Sequence, residues 1–208
     1  MVRPREFDSN AALDLFLQAF WEKGYAATSV DDLCRRSGLS KSSVYSAFGD
    51  KHALLCKSLE RYIEIRIGHI RELFEKTRNI HLALSTLGSE IIDGIESGPG
   101  RRGCSIGNCA AEIEHGDCAT MMLIGKGLAE MEAIFAKTMK LARRRGELSN
   151  DVSIEATARF LVAGFQGLRL VGKVRSERKA LQDIADVILS TVKKPTNPVR
   201  YYRGKADV

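Results

Sequence analysis

Thr28-Ser29-Val30-Asp31-Asp32-Leu33-Cys34-Arg35-Arg36-Ser37-Gly38-Leu39-Ser40-Lys41-Ser42-Ser43-Val44-Tyr45-Ser46-Ala47-Phe48 reads as two short helices interrupted once. Val30, Leu33, Cys34 and Ser37 share a helical face, and Thr28 with Asp31 is expected to form the capping box that opens it. Gly38 stops the first helix by taking a positive φ. Ser40 then caps a second helix of about two turns, in which Val44 and Phe48 turn inward at i, i+4 spacing. Cys34 falls where the two helices cross most closely, and Leu39 and Val44 fill the space between them. That assignment leaves Lys41, Ser42, Ser43, Tyr45 and Ser46 outward, as short polar groups, a cation and an amphipathic ring suited to phosphates and base edges. Two helices joined by a Gly turn form a helix-turn-helix unit, whose second helix enters a DNA major groove.

Working outward, Leu13, Phe16, Leu17 and Phe20 form one stripe of a preceding helix, capped by Asp8 or Ser9 and ended by Gly24. Phe16, Phe20 and Tyr25 read as core. Asp50 opens a much longer helix through Leu54, Leu55, Leu59, Tyr62 and Ile63 to about Lys76, which reads as a connector. Further helical stretches are expected at residues 79–96, 104–114, 117–145, 153–174 and 177–193, separated by Gly, Pro, Ser and Asn punctuation. No strand alternation or internal repeat competes. The fold class is therefore all-α. Residues 195–208, with Pro195, Pro198, Tyr201 and Tyr202, read as a basic tail.

The chain has 208 residues, 44% hydrophobic and 28% charged, which excludes disorder and collagen-like repeats. No segment is apolar for long enough to span a membrane, and the first residues, with Arg3, Arg5, Glu6 and Asp8, lack the apolar run of a secretory signal. A cytoplasmic protein with no membrane partner is expected. Net charge is +6, but residues 1–51 carry seven Lys/Arg against seven Asp/Glu, and residues 193–208 carry five against one. Most of the surplus lies in residues 193–208, so DNA binding must be argued from where particular side chains point. Five cysteines without an export signal are expected to be reduced.

Phe20-x-x-x-Gly24-Tyr25-x-x-Thr28-Ser29-Val30-x-x-Leu33, then Gly38-Leu39-Ser40-Lys41-Ser42-Ser43-Val44-Tyr45, then Phe48-x-x-Lys51 resembles the tetracycline-repressor (TetR) family of transcriptional regulators over about residues 5–60. The resemblance implies about nine helices in a homodimer, each chain in three parts. These are a three-helix DNA-binding domain at 1–50, a larger sensor and dimerisation domain at 51–194, and the tail. It implies phosphate contacts from Thr28 and Lys51, a phosphate or thymine-methyl contact from Tyr45, and base reading by Lys41, Ser42 and Ser43. Ser46 departs from the His or Asn common at its position. Arg3 and Arg5 resemble a basic arm laid along DNA. The implied partners are a near-palindromic double-stranded operator, a second copy of the chain and a small-molecule effector. No cofactor or metal is implied.

Cys104, Met121, Met122, Met131, Phe135, Met139 and Phe165 are candidates to line an effector pocket, with ordinary core packing as the competing role. Residues 153–193 supply two apolar helices for a dimer surface, with Phe160, Leu161, Gly164, Phe165 and Leu168 on one and Ile184, Val187, Ile188 and Val192 on the other. Cys104, Cys109 and Cys118 lie within fifteen residues beside Arg101 and Arg102, so electrophile or redox sensing through Cys104 is an alternative. Cys109 reads as buried and inert. A helical thiol enzyme using His115 with Glu112 or Glu114 is a remote third reading, because no Gly-rich phosphate loop, G-x-S-x-G or HExxH accompanies it.

Overall fold

A computed structural model describes residues 7–112 and 117–195, and Arg3, Arg5, His115 and the tail from 196 onward lie outside the described residues. Nine α-helices and one 3-10 turn make up the described chain, with no strand. The helices are α1 (Ser9–Lys23), α2 (Val30–Ser37), α3 (Lys41–Phe48), α4 (Lys51–Lys76), α5 (Ile80–Glu96), α6 (Ser105–Glu112), α7 (Cys118–Arg144), α8 (Ile154–Val171) and α9 (Arg178–Ser190), and the 3-10 turn is Pro99–Arg102. No described helix is long and apolar enough to cross a membrane.

Side-chain caps set most of these boundaries. Asp8 accepts from the Asn10 and Ala11 amides, Ser40 from Ser43, and Asp50 from Ala53, each satisfying a backbone donor that a helix start leaves open. At α2 the capping box is Ser29 with Asp32, one residue later than Thr28 with Asp31. The Thr28 side chain is unavailable because it is fully buried and donates to the Gly24 carbonyl at 2.7 Å. Gly38 closes α2 in the left-handed conformation at φ 70°.

Two apolar cores result. The first gathers Ala12, Phe16, Ala19 and Phe20 of α1 with Leu33, Val44 and Phe48, and it takes Leu54 and Leu55 from the start of α4. From Leu59 onward α4 contributes to a second core shared with α5, α7, α8 and α9. α4 thus belongs to both, and it spans about 39 Å at 1.5 Å per residue. A two-point pair from Arg61 to Asp14, at 2.6 and 2.8 Å, fixes α4 against α1. In the second core Gly164 lets α8 approach α9 so closely that an added Cβ would meet Ile188 at 2.9 Å.

Candidate DNA-reading face and sensor cavity

α3 divides cleanly. Val44 and Phe48 are buried, while Lys41, Ser42, Tyr45 and Ser46 are exposed and Ser43 is half-buried. The Ser40 hydroxyl lies 2.9 Å from that of Ser42 and 2.8 Å from that of Ser43, so three hydroxyls cluster at the helix start. Lys41 pairs with Asp31 of α2 at 3.1 Å, and that carboxylate raises its pKa. Tyr45 is 45% exposed, too open for a ring whose task is packing.

Lys51 opens α4 with its ammonium 4.4 Å from the centre of the Tyr25 ring and 3.4 Å from the Ala26 carbonyl. That places beside the α1–α2 turn a cation that engages no carboxylate among the described residues. Lys57, which sequence reasoning missed, reaches the Ala47 carbonyl at the end of α3 in the same manner. Its trace in the sequence is its place six residues after Lys51 on the same helix. The remaining bases of the head are mostly neutralised, with Lys23 and Arg35 on Asp32, Arg36 on Glu22 and Arg61 on Asp14. The Thr28 side chain, expected at a phosphate, is turned inward. Its hydroxyl is buried and spent on the end of α1, so that side chain positions the α1–α2 turn.

The segment from the 3-10 turn through α6 fastens this head to the body. The Trp21 indole donates to the Arg102 carbonyl at 3.0 Å, and the Arg102 guanidinium pairs with Glu22 at 3.1 Å. At the other end of α6, Glu112 accepts from the Tyr25 amide at 2.7 Å. His52 of α4 meets Asp117 at 2.9 Å. Asp117 also caps α7, and the Thr120 hydroxyl and amide, followed by His52, bring its pKa down to about 2.

Behind that segment lies a cavity of about 30 Å³ lined by Cys104, Met131, Phe135 and Phe165, together with Ile91, Val162, Tyr62, Arg66, Gln166 and Arg169. The polar members were not legible beforehand. Met121 and Met122 do not line it. They are 56% and 75% exposed, because the inward positions of α7 are Thr120, Ile124, Gly127, Met131, Phe135, Met139 and Ala142, and both methionines fall off that stripe. Met139 is fully buried in the core.

The three thiols occupy different surroundings. Cys104 is buried with its sulfur 3.7 Å from the Tyr62 hydroxyl, whose pKa burial pushes up. Arg102 turns to Glu22 and Arg101 is exposed, so the cation whose charge couples to Cys104 is Arg169 instead. Burial, then Glu112, pushes the Cys109 thiol up to about 12, and Cys118 is exposed. Among the described residues no group of three or more His, Cys, Asp or Glu is placed to hold a metal ion.

A small helix-turn-helix head with an outward polar face, joined by one long helix to a helical body with an internal cavity, defines a DNA-binding transcriptional regulator. Two family models agree: "Bacterial regulatory proteins, tetR family" over residues 11–56 and "Tetracyclin repressor-like, C-terminal domain" over residues 83–188. The chain belongs to the TetR family. It is 28% identical over 190 residues to the HTH-type transcriptional repressor ComR of Escherichia coli (strain K12), covering 90% of each chain. It is 28% identical to an HTH-type transcriptional regulator of Bacillus subtilis (strain 168), YezE, over 92% of this chain and all of that one. Among solved structures, a cysteine mutant of the TetR-family regulator CifR in complex with 26bp operator DNA superposes at a TM-score of 0.79 with 25% identity, covering 90% of this chain and 98% of that one. The reduced form of NemR from E. coli shares the fold at a TM-score of 0.80, with 18% identity over 91% of this chain and 100% of that one.

Proposed function

We propose that this protein is a cytoplasmic homodimeric repressor that binds a near-palindromic operator through α3 and the start of α4, and that a small molecule entering the body releases it. The observation that carries the release is the position of residues 99–112. Cys104 and Ile106 of this stretch form cavity wall, while Arg102 and Glu112 hold α1 and the α1–α2 turn. A ligand that favours a displaced α6 therefore changes the setting of the head without touching DNA, by its differential affinity for the two arrangements.

Dimerisation is supported by α8. Phe160, Ala163, Gly167 and Leu170, continued by Val174, are spaced 3, 4, 3 and 4 residues apart and face outward. That is an apolar heptad seam with nothing packed on it among the described residues. Leu161, Phe165 and Leu168 face the core, and Gly164 meets Ile188 of the same chain, so the seam differs from the single stripe expected for this helix. Ala180, Ile184 and Val187 extend the surface onto α9, while Ile188 and Val192 are buried within the chain.

The test begins with genomic fragments retained by the protein at moderate salt, followed by footprinting. A short near-palindrome should be protected, and Tyr45→Ala and Lys51→Ala should each weaken its binding. Unchanged affinity in both would refute the contact assignment. A second reading, alkylation of the Cys104 sulfur by an electrophile, is favoured by the place of that sulfur in the cavity wall. It is lost if Cys104→Ser leaves electrophile-induced operator release intact.

A further inference from the structure

Arg66 of α4 and Arg169 of α8 line the same cavity, and among the described residues neither guanidinium has a hydrogen bond or a carboxylate partner. Glu90, a carboxylate whose charge reaches Arg169, is itself bonded to His69 at 2.7 Å. Two like charges beside an apolar wall are unfavourable without an anion between them, and burial and then Arg66 depress the Arg169 pKa accordingly. The Tyr62 hydroxyl adds a neutral donor, and the buried Gln166 Oε1 has no partner. This part of the wall therefore has unfilled hydrogen-bonding capacity of both kinds. The rest of the lining includes Phe135, Phe165 and Val162, which offer nothing polar.

We propose that the effector is a small carboxylic acid with an apolar body, its carboxylate held between Arg66 and Arg169 and its body against Phe135 and Phe165. This rests on the reading that the cavity is the sensor site. Guanidinium forks match carboxylate geometry, and phenyl and branched side chains match an alkyl or aryl tail. The cavity of about 30 Å³ holds little more than a water molecule, so the acid enters only by moving its wall. The wall segment with the shortest helix is the one around Cys104 and Ile106, which is fastened to the head. Filling the anion site and releasing the operator then become one event.

The experiment measures thermal midpoint and operator affinity with and without sodium octanoate or sodium benzoate, against octan-1-ol and benzamide at equal concentration, for wild type, Arg169→Met, Arg169→Lys and Arg66→Met. The acids should raise the midpoint of the free protein and weaken operator binding about tenfold or more, with the neutral compounds failing to do so. Both Met variants should lose that ratio, and Arg169→Lys should keep part of it, so misfolding of one variant does not decide the matter. Acids that act no better than their neutral counterparts, or that act equally on the Met variants, overturn the proposal. A size-filtered cell extract separates the parent reading. Release of wild type and both Met variants alike leaves small-molecule control standing and removes the carboxylate, whereas an extract without effect on any of them removes the control itself.

Discussion

Val44 and Tyr45 are neighbours with opposite surroundings, one fully buried and one open to solvent, so single substitutions in α2 and α3 separate folding from DNA contact. Leu33→Ala, at a site with no exposure, should lower stability by about 2–5 kcal/mol in urea unfolding, through lost transfer energy and the cavity left behind. Tyr45→Ala should shift that stability by no more than about 0.5 kcal/mol while weakening operator binding, because its ring is spent on no core. The thiols give a second residue-scale prediction. Iodoacetamide attacks the thiolate, so exposed Cys118 should be labelled first and Cys109, its pKa up at about 12, only slowly, as read by peptide mass spectrometry. Leu33, Val44 and Phe48 were legible from spacing alone. Thr28 was not, because Thr28-Ser29 and Asp31-Asp32 offer two capping registers, and only the closing of α1 onto Thr28 selects the second.

Helix starts are where this sequence speaks most plainly, since Asp8, Ser40, Asp50 and Asp117 each cap the helix that follows them. Breaking the α2 box with Ser29→Ala should cost about 1 kcal/mol. The Ser29 hydroxyl and amide hold the Asp32 carboxyl well below its ordinary value, with Lys23 and Arg35 adding to them. The same holds for Asp117, at about 2 against an ordinary 3.8. A folded-state pKa that is depressed gives stability that is complete above the unfolded value and lost as pH falls toward the folded one. For Asp117 that window runs from 3.8 down to about 2. Asp117→Asn, which still caps a helix, should flatten the loss of urea stability across that range, and an unaltered acid limb would show that the depressed Asp117 carboxyl, held by Thr120 and then His52, contributes nothing to acid stability. Elements as such were readable because caps and stripes are local. Arg66 and Arg169 were not, because their meaning depends on which helix faces meet. The trace they leave is a charge on an inward stripe, Arg66 four residues after Tyr62 and Arg169 four after Phe165.

On the scale of the whole molecule, one reading head offers, among the described residues, few cations free of internal carboxylates, chiefly Lys51 and Lys57, which is little charge for holding DNA alone. Two heads tied together act at a high effective concentration on neighbouring half-sites about 34 Å apart, and this can add 10²–10⁴-fold in affinity with no new contact per head. The seam of Phe160, Ala163, Gly167, Leu170 and Val174 is the surface that would tie them. Leu170→Glu tests it with little cost to the protomer, since that side chain is 64% exposed. Sedimentation should show a monomer whose thermal unfolding remains cooperative. Its operator affinity should fall by about a hundredfold or more, and the dependence of log K on log salt should drop to about half, because half as many phosphates are neutralised. A Leu170→Glu protein that stays dimeric would place the symmetry axis elsewhere on the body. One that becomes monomeric yet keeps full affinity and the full salt slope would show that a single head carries the binding.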